Sequence, residues 1–244
     1  GGPSMSRLFS CLAISLLAGS LLAGCATQSS QTDSRLSSLA RLGDQAPERR
    51  SLDIQQWHTT SGSQVLFVQA PELPMFDIRL TFAAGSSQDG GQPGLASLTN
   101  ALLDQGTASK TADEIALGFE NLGARFGGGS YRDMGIVSLR RLSDPALSES
   151  ARQLFTELRA EPAFRQADIQ RLKNQLRAAF EQQQKDPGTL ANQALFADLY
   201  GQHPYAHPSD GDATSIAGIS RQQLRDFHQR FYTAGNVQIA LVGD

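Results

Sequence analysis

His203 and His207 stand four residues apart, the spacing at which two imidazoles on one face of a helix can share a zinc ion. Pro204 and Pro208 interrupt any such helix, because proline has no backbone donor and its ring clashes with the preceding turn. The pair therefore reads as part of a structural loop. Another stretch has the right spacing without the chemistry. Ser97, Asn100 and Ala101 lie at i, i+3 and i+4 of the segment Gly94 to Thr107. Imidazoles at the first and third of these positions would converge on one metal ion. A carboxylate at the second would take a proton from metal-bound water. A serine hydroxyl is only a weak neutral ligand and a methyl group is none. A carboxamide is not a base at physiological pH. Leu95, Leu98, Leu102 and Leu103 account for the segment as the buried stripe of an ordinary helix. Gly127-Gly128-Gly129, followed by Ser130, lacks both the lysine and the following helix of a phosphate-binding loop. Three glycines make either a flexible turn or a weak strand that another backbone can approach closely.

The elements that would position these residues are legible from periodicity and caps. Strands are expected over Ser51–Thr59, Gln64–Ala70 and Phe76–Ala84, the first two joined at Thr60-Ser61-Gly62-Ser63. A Gly/Pro-rich loop from Asp89 to Pro93 leads into the helix at Leu95. Thr111-Ala112-Asp113-Glu114 is a capping box that opens a second helix, and Gly123 ends it. Ala124–Ser130 and Met134–Leu142 read as a hairpin. Asp144-Pro145 starts a helix with Leu147, Ala151, Leu154, Phe155 and Leu158 inward. Asp168–Gln184 is expected as a long helix burying Ile169, Leu172, Leu176, Ala179 and Phe180. Pro187–Tyr200, a loop over His203–Asp212, a helix capped at Ser220 and running to about Phe231, and a strand over Asn236–Val242 complete the chain. Strands first, helices later and hairpin pairing predict an α+β fold, a mostly antiparallel sheet covered by helices.

Composition bounds the function. The chain has 244 residues, 40% of them hydrophobic and 18% charged, with a net charge of −3 and no dense basic patch, which argues against nucleic-acid binding. Residues 1–4 read as a cloning scar before Met5, and residues 5–24 as a secretory signal peptide ending in Leu22-Ala23-Gly24-Cys25. That ending resembles a bacterial lipobox, which implies a lipid on Cys25. Ala26 in place of an aspartate favours the outer membrane, with the protein anchored on the periplasmic side. Cys11 would leave with the signal, so no thiol would remain for a disulfide or a thiolate zinc site. Residues 25–50, rich in Ser, Gln and Thr, are expected to form a flexible tether with at most a short helix around Arg35–Leu42. The folded domain is expected over residues 51–244.

Gly94-Leu95-Ala96-Ser97-Leu98-Thr99-Asn100-Ala101, closing on Gly106-Thr107, resembles the zinc helix of the pitrilysin/insulinase-type metallopeptidases, G-L-A-H-x-x-E-H-x-x-x-x-G-T. The resemblance continues through Asp186-Pro187 with Leu190-Ala191, Leu199-Tyr200-Gly201-Gln202-His203-Pro204-Tyr205, Gly235-Asn236 and Val242-Gly243-Asp244. It implies a fold like one half of such a protein, with a second domain of similar fold elsewhere. Ser97, Asn100 and Ala101 replace both zinc histidines and the catalytic glutamate. The family's third ligand, a glutamate, would fall near Gln175–Ala179, where no carboxylate stands; Glu181 is about half a turn late. Nor does a histidine stand at the family's positions to activate Ser97 as a nucleophile. The resemblance therefore implies a pseudo-peptidase without a metal cofactor, although active relatives use zinc. Its expected partners are a zinc-bearing paralogue or a second copy, and a peptide or unfolded polypeptide. In the family the strand at Gly127–Ser130 borders the cleft and can pair with an extended peptide. The other functions in view are a zinc endopeptidase and a lipid-anchored structural domain.

Overall fold

The computed structural model describes residues 51–244. The expected signal peptide, Cys25, the tether and the short helix near Arg35 lie outside the described residues. In chain order the elements are β1 (Ile54–His58), β2 (Gln64–Gln69), β3 (Met75–Phe82), α1 (Leu95–Ala101), α2 (Ala112–Asn121), β4 (Ala124–Ser130) and β5 (Gly135–Leu142). There follow α3 (Pro145–Ala160), α4 (Gln166–Gln183), α5 (Pro187–Tyr200), α6 (Ala213–Gly218), α7 (Arg221–Phe231) and β6 (Val237–Gly243). The strands form one six-stranded sheet in the order β1-β2-β6-β3-β5-β4. Every neighbouring pair is antiparallel except β2 and β6, which run parallel with Gln64 opposite Gln238. The expected α+β class, a mostly antiparallel sheet with helices, is therefore what the chain adopts.

Alternation along the strands decides which face is buried. On β3, Ile78, Leu80 and Phe82 point to the core, opposite Leu139, Val137 and Gly135 of β5. Leu98 and Leu102 of the first helical segment, Phe119 of α2, Leu158 of α3 and Leu224 of α7 fill the space above them. The other face carries Arg79, Arg125, Arg140, Gln238 and Val242, all exposed, so the sheet is covered on one side only.

Caps set the helix boundaries. Thr111 Oγ1 accepts from the Glu114 amide and Glu114 Oε2 accepts from the Thr111 amide, closing the expected box. Asp186 caps α5 and Ser220 caps α7. Three expectations fail locally. Leu147 is 37% exposed rather than inward, because it lies in the first turn of α3, where the helix begins at the rim of the core. Ala179 of α4 is exposed, and the buried stripe there is carried by Ile169 and Phe180. The six-residue α6, capped at Asp212, lies where no helix was expected.

Candidate functional site

The loop before α1 supplies what its first turn needs. Gly94 enters the helix at φ 90°, and a Cβ there would sit 2.6 Å from the Asp210 carbonyl oxygen and 2.6 Å from Ile216 Cδ1. Backbone conformation and close approach thus both require glycine. Gly94→Ala is expected to lower stability by about 2 kcal/mol or more. A thermal midpoint within a degree or so of the parent would show that the loop yields freely.

Asp89 satisfies the helix start from five residues upstream. Its Oδ2 accepts from the Gly94 amide and its Oδ1 from the Ala96 amide, both at 2.8 Å. The side chain is buried, and that burial pushes its pKa up from 3.8 to about 6. The two amides and the nearby His207 oppose the shift, while Asp210 adds to it.

Each motif position is committed to structure or empty. Ser97 Oγ donates to Asp210 Oδ1 at 2.7 Å, tying α1 to the loop that follows α5. Asn100 is 5% exposed, and its Nδ2 donates to the Ile136 carbonyl at 3.1 Å and to the Tyr232 hydroxyl at 3.0 Å. Burial raises the Tyr232 phenol to about 12, so it stays protonated, while the hydrogen bond with Asn100 pulls the other way. Ala101 faces solvent with a methyl group. On α4, Gln175, Arg177, Ala178, Ala179 and Glu181 are exposed. A hydroxyl, a carboxamide and a methyl group do not make a zinc donor set, so the residues do not fit the metal that the motif's frame implies. Among the described residues, no group of three or more His, Cys, Asp or Glu could hold a metal ion.

His203 and His207 are loop residues, as their prolines dictate. The His203 ring caps the short 3-10 turn Pro204–Ala206, its Nδ1 accepting from the Tyr205 amide, and packs edge-on against Tyr205. His207 Nδ1 lies 3.0 Å from the Pro208 carbonyl oxygen. Arg132 holds this loop in place. Its guanidinium lies over the Phe196 ring at 4.1 Å and donates to the Tyr205 carbonyl at 2.8 Å.

Gly127, Gly128 and Gly129 lie inside β4, so of the two alternatives, flexible turn or weak strand, the segment adopts the strand expected over Ala124–Ser130. Their value is space. A Cβ on Gly128 would come within 3.0 Å of Asn100 Oδ1, and one on Gly127 within 2.7 Å of Ser138 Oγ. The close packing of α1 against β4 therefore depends on Gly128. Ser130, at the strand's end, has a buried hydroxyl with no hydrogen-bond partner among the described residues. Among the described residues β4 pairs only with β5, which leaves its far side an open sheet edge there. Sequence reasoning missed Asp89, Asp210 and Tyr232, which hold the motif positions; only Asp89 lay close enough in the chain to be suspected as a cap.

This geometry has counterparts among known proteins. The chain belongs to the insulinase family of peptidases (peptidase family M16), whose profile matches residues 64–212. A crystal structure of a "peptidase M16 inactive domain" from Pseudomonas fluorescens is 56% identical and covers 79% of this chain and 47% of its own, with a TM-score of 0.78. A Helicobacter pylori protein named "non-peptidase homolog YmxG" is 28% identical over 184 residues, 74% of this chain and 41% of that protein. An "uncharacterized zinc protease" of Rickettsia felis is 20% identical over 185 residues, 75% of this chain and 44% of that protein. The chain thus spans about half the length of the relatives it matches.

Proposed function

We propose that this chain is a pseudo-peptidase domain that binds a peptide or unfolded polypeptide, or assembles with a partner, instead of cutting. The observation that carries the reading is the fate of the motif positions. Ser97 is tied to Asp210, Asn100 is buried between Tyr232 and a strand carbonyl, and Ala101 offers no ligand atom. The names given to the Pseudomonas domain and the Helicobacter relative support the same reading. The partner that fits it best is a zinc-bearing paralogue supplying the missing ligands, with self-association as the other form of assembly. The open edge of β4, with Gly127, Gly128, Gly129 and Ser130, is where an extended peptide would pair, since an edge strand offers unpaired backbone groups. A lipidated Cys25 would place the domain at the periplasmic face of the cell envelope, with the outer membrane favoured by Ala26.

Elemental analysis after zinc loading and exhaustive dialysis tests the reading, together with a peptidase assay on the same sample. The expected metal content is close to zero per chain, with no hydrolysis above buffer. Stoichiometric zinc with hydrolysis abolished by a chelator would overturn it. Co-purification from envelope extracts, with and without a paralogue carrying the intact motif, then separates assembly with that paralogue from self-association.

A further inference from the structure

The face of the sheet away from the helices holds an arrangement that the proposed function does not use. Register sets it out in two rows across β3, β5 and β4. Asp77, Arg140 and Arg125 lie side by side in one row, and Arg79, Ser138 and Gly127 in the next. The two smallest of these residues are adjacent, so the surface sinks between the arginines. The result is a depression of about 320 Å³ lined by Arg79, Arg125 and Arg140, with Ser138 and Gly127 between them.

Its charge is uneven. Arg140 grips Asp77 with both prongs, Nε to Oδ1 at 2.7 Å and the terminal nitrogen to Oδ2 at 2.8 Å. Arg79 and Arg125 have no hydrogen-bond or ion-pair partner among the described residues. Arg125 stands directly opposite Arg140, an arrangement of like charges that destabilises a strand pair on its own. Three guanidiniums against one carboxylate leave this patch net positive on a chain whose net charge is −3. Ser138 Oγ reaches only a long 3.4 Å contact to the Gly127 carbonyl, so its proton can turn outward.

We propose that this depression is an oxyanion site, taking one carboxylate or phosphoryl group between Arg79 and Arg125 with the Ser138 hydroxyl as a third donor. Guanidinium forks match the planar oxygens of a carboxylate or the oxygens of a phosphate. An anion there would also relieve the repulsion between Arg125 and Arg140. The site faces away from α1 but shares Gly127 with the β4 edge, so the two readings are separated by a peptide that can pair with the edge and carries no anion.

The test is a titration of the isotope-labelled protein at constant ionic strength, following the arginine Nε–H and Ser138 amide resonances. The probes are inorganic phosphate, a capped peptide with two consecutive glutamates, and the same peptide with glutamines. Saturable shifts confined to Arg79, Arg125, Arg140 and Ser138 are expected with at least one anionic probe and not with the glutamine peptide. Saturation by phosphate alone assigns a phosphoryl ligand; saturation by the glutamate peptide, competed by phosphate, assigns a carboxylate. Arg79→Gln and Arg125→Gln replace exposed side chains, and each should weaken binding roughly tenfold without lowering the thermal midpoint. Shifts that spread evenly over all arginines without saturating, or binding unchanged in Arg125→Gln, would overturn the assignment.

Discussion

Asn100→Ala will lose about 2–4 kcal/mol of stability, read as a lowered midpoint in urea unfolding. The side chain is almost wholly buried and links three elements: α1 itself, the Ile136 carbonyl on β5, and the Tyr232 hydroxyl just past α7. Tyr232 is buried too, its ring 4.7 Å from Phe82 and 5.2 Å from His228. Truncation at position 100 opens a cavity and strips that hydroxyl of its hydrogen-bond partner, and each unpaired buried polar group costs on the order of 1–3 kcal/mol. The isosteric Asn100→Asp is the sharper test. The Asn100 amide donates to both partners, and a carboxylate cannot donate to the Ile136 carbonyl. Acceptor would then face acceptor in a dry site, so Asn100→Asp should be destabilised more at pH 8 than at pH 5. The consequence for function is direct: a carboxylate at this position, as in the active family pattern, conflicts with the way this fold uses the residue. Substitutions that change stability by less than about 0.5 kcal/mol would mean that the residue is incidental.

How much of this was visible beforehand follows the range of the interactions. The α1 stripe of Leu95, Leu98, Leu102 and Leu103 was legible because helical periodicity is a local signal, and all four side chains are buried. The capping boxes at Thr111 and Ser220 and the Asp186-Pro187 start of α5 were legible for the same reason. The parallel pairing of β2 with β6 was not, because it joins Gln64 to Gln238 and no local pattern encodes that register. Likewise, the absence of zinc ligands could be read directly, but the uses that replaced them could not. Ser97 meets Asp210 across 113 residues, and Asn100 meets Tyr232 across 132. The triglycine was legible only in part. The hairpin pattern placed Ala124–Ser130 in a strand, as observed, but no local signal showed that Asn100 and Ser138 leave no room for side chains at Gly128 and Gly127.

The stability difference between the wild-type chain and Asp89→Asn will shift by on the order of 3 kcal/mol between pH 7.5 and pH 4, with the wild type gaining as the solution is acidified. Burial raises the folded pKa of Asp89 from 3.8 to about 6, so the native state holds that proton more tightly than the unfolded chain does. Stability contributed by the group therefore rises as pH falls through 6 and levels off below 3.8. Other groups work in the opposite sense, His228 and Glu157 among them. Burial lowers the His228 pKa, so its contribution is present above 6.5 and fades as pH falls below that value. Glu157, held at about 2 by Lys110 and Thr107, contributes above 4.5 and is lost as pH falls toward 2. Both are unchanged in Asp89→Asn, so taking the difference between the two proteins cancels them to first order. A flat difference, or one that grows toward high pH in favour of the wild type, would mean that Asp89 is ionised at no cost and that its two backbone bonds outweigh its burial. The expected slope means instead that at neutral pH the fold carries a strained buried charge directly beneath the helix bearing Ser97. That charge persists because the Gly94 and Ala96 amides have no other acceptor, and because the adjoining loop brings His207 close enough to favour the ionised form.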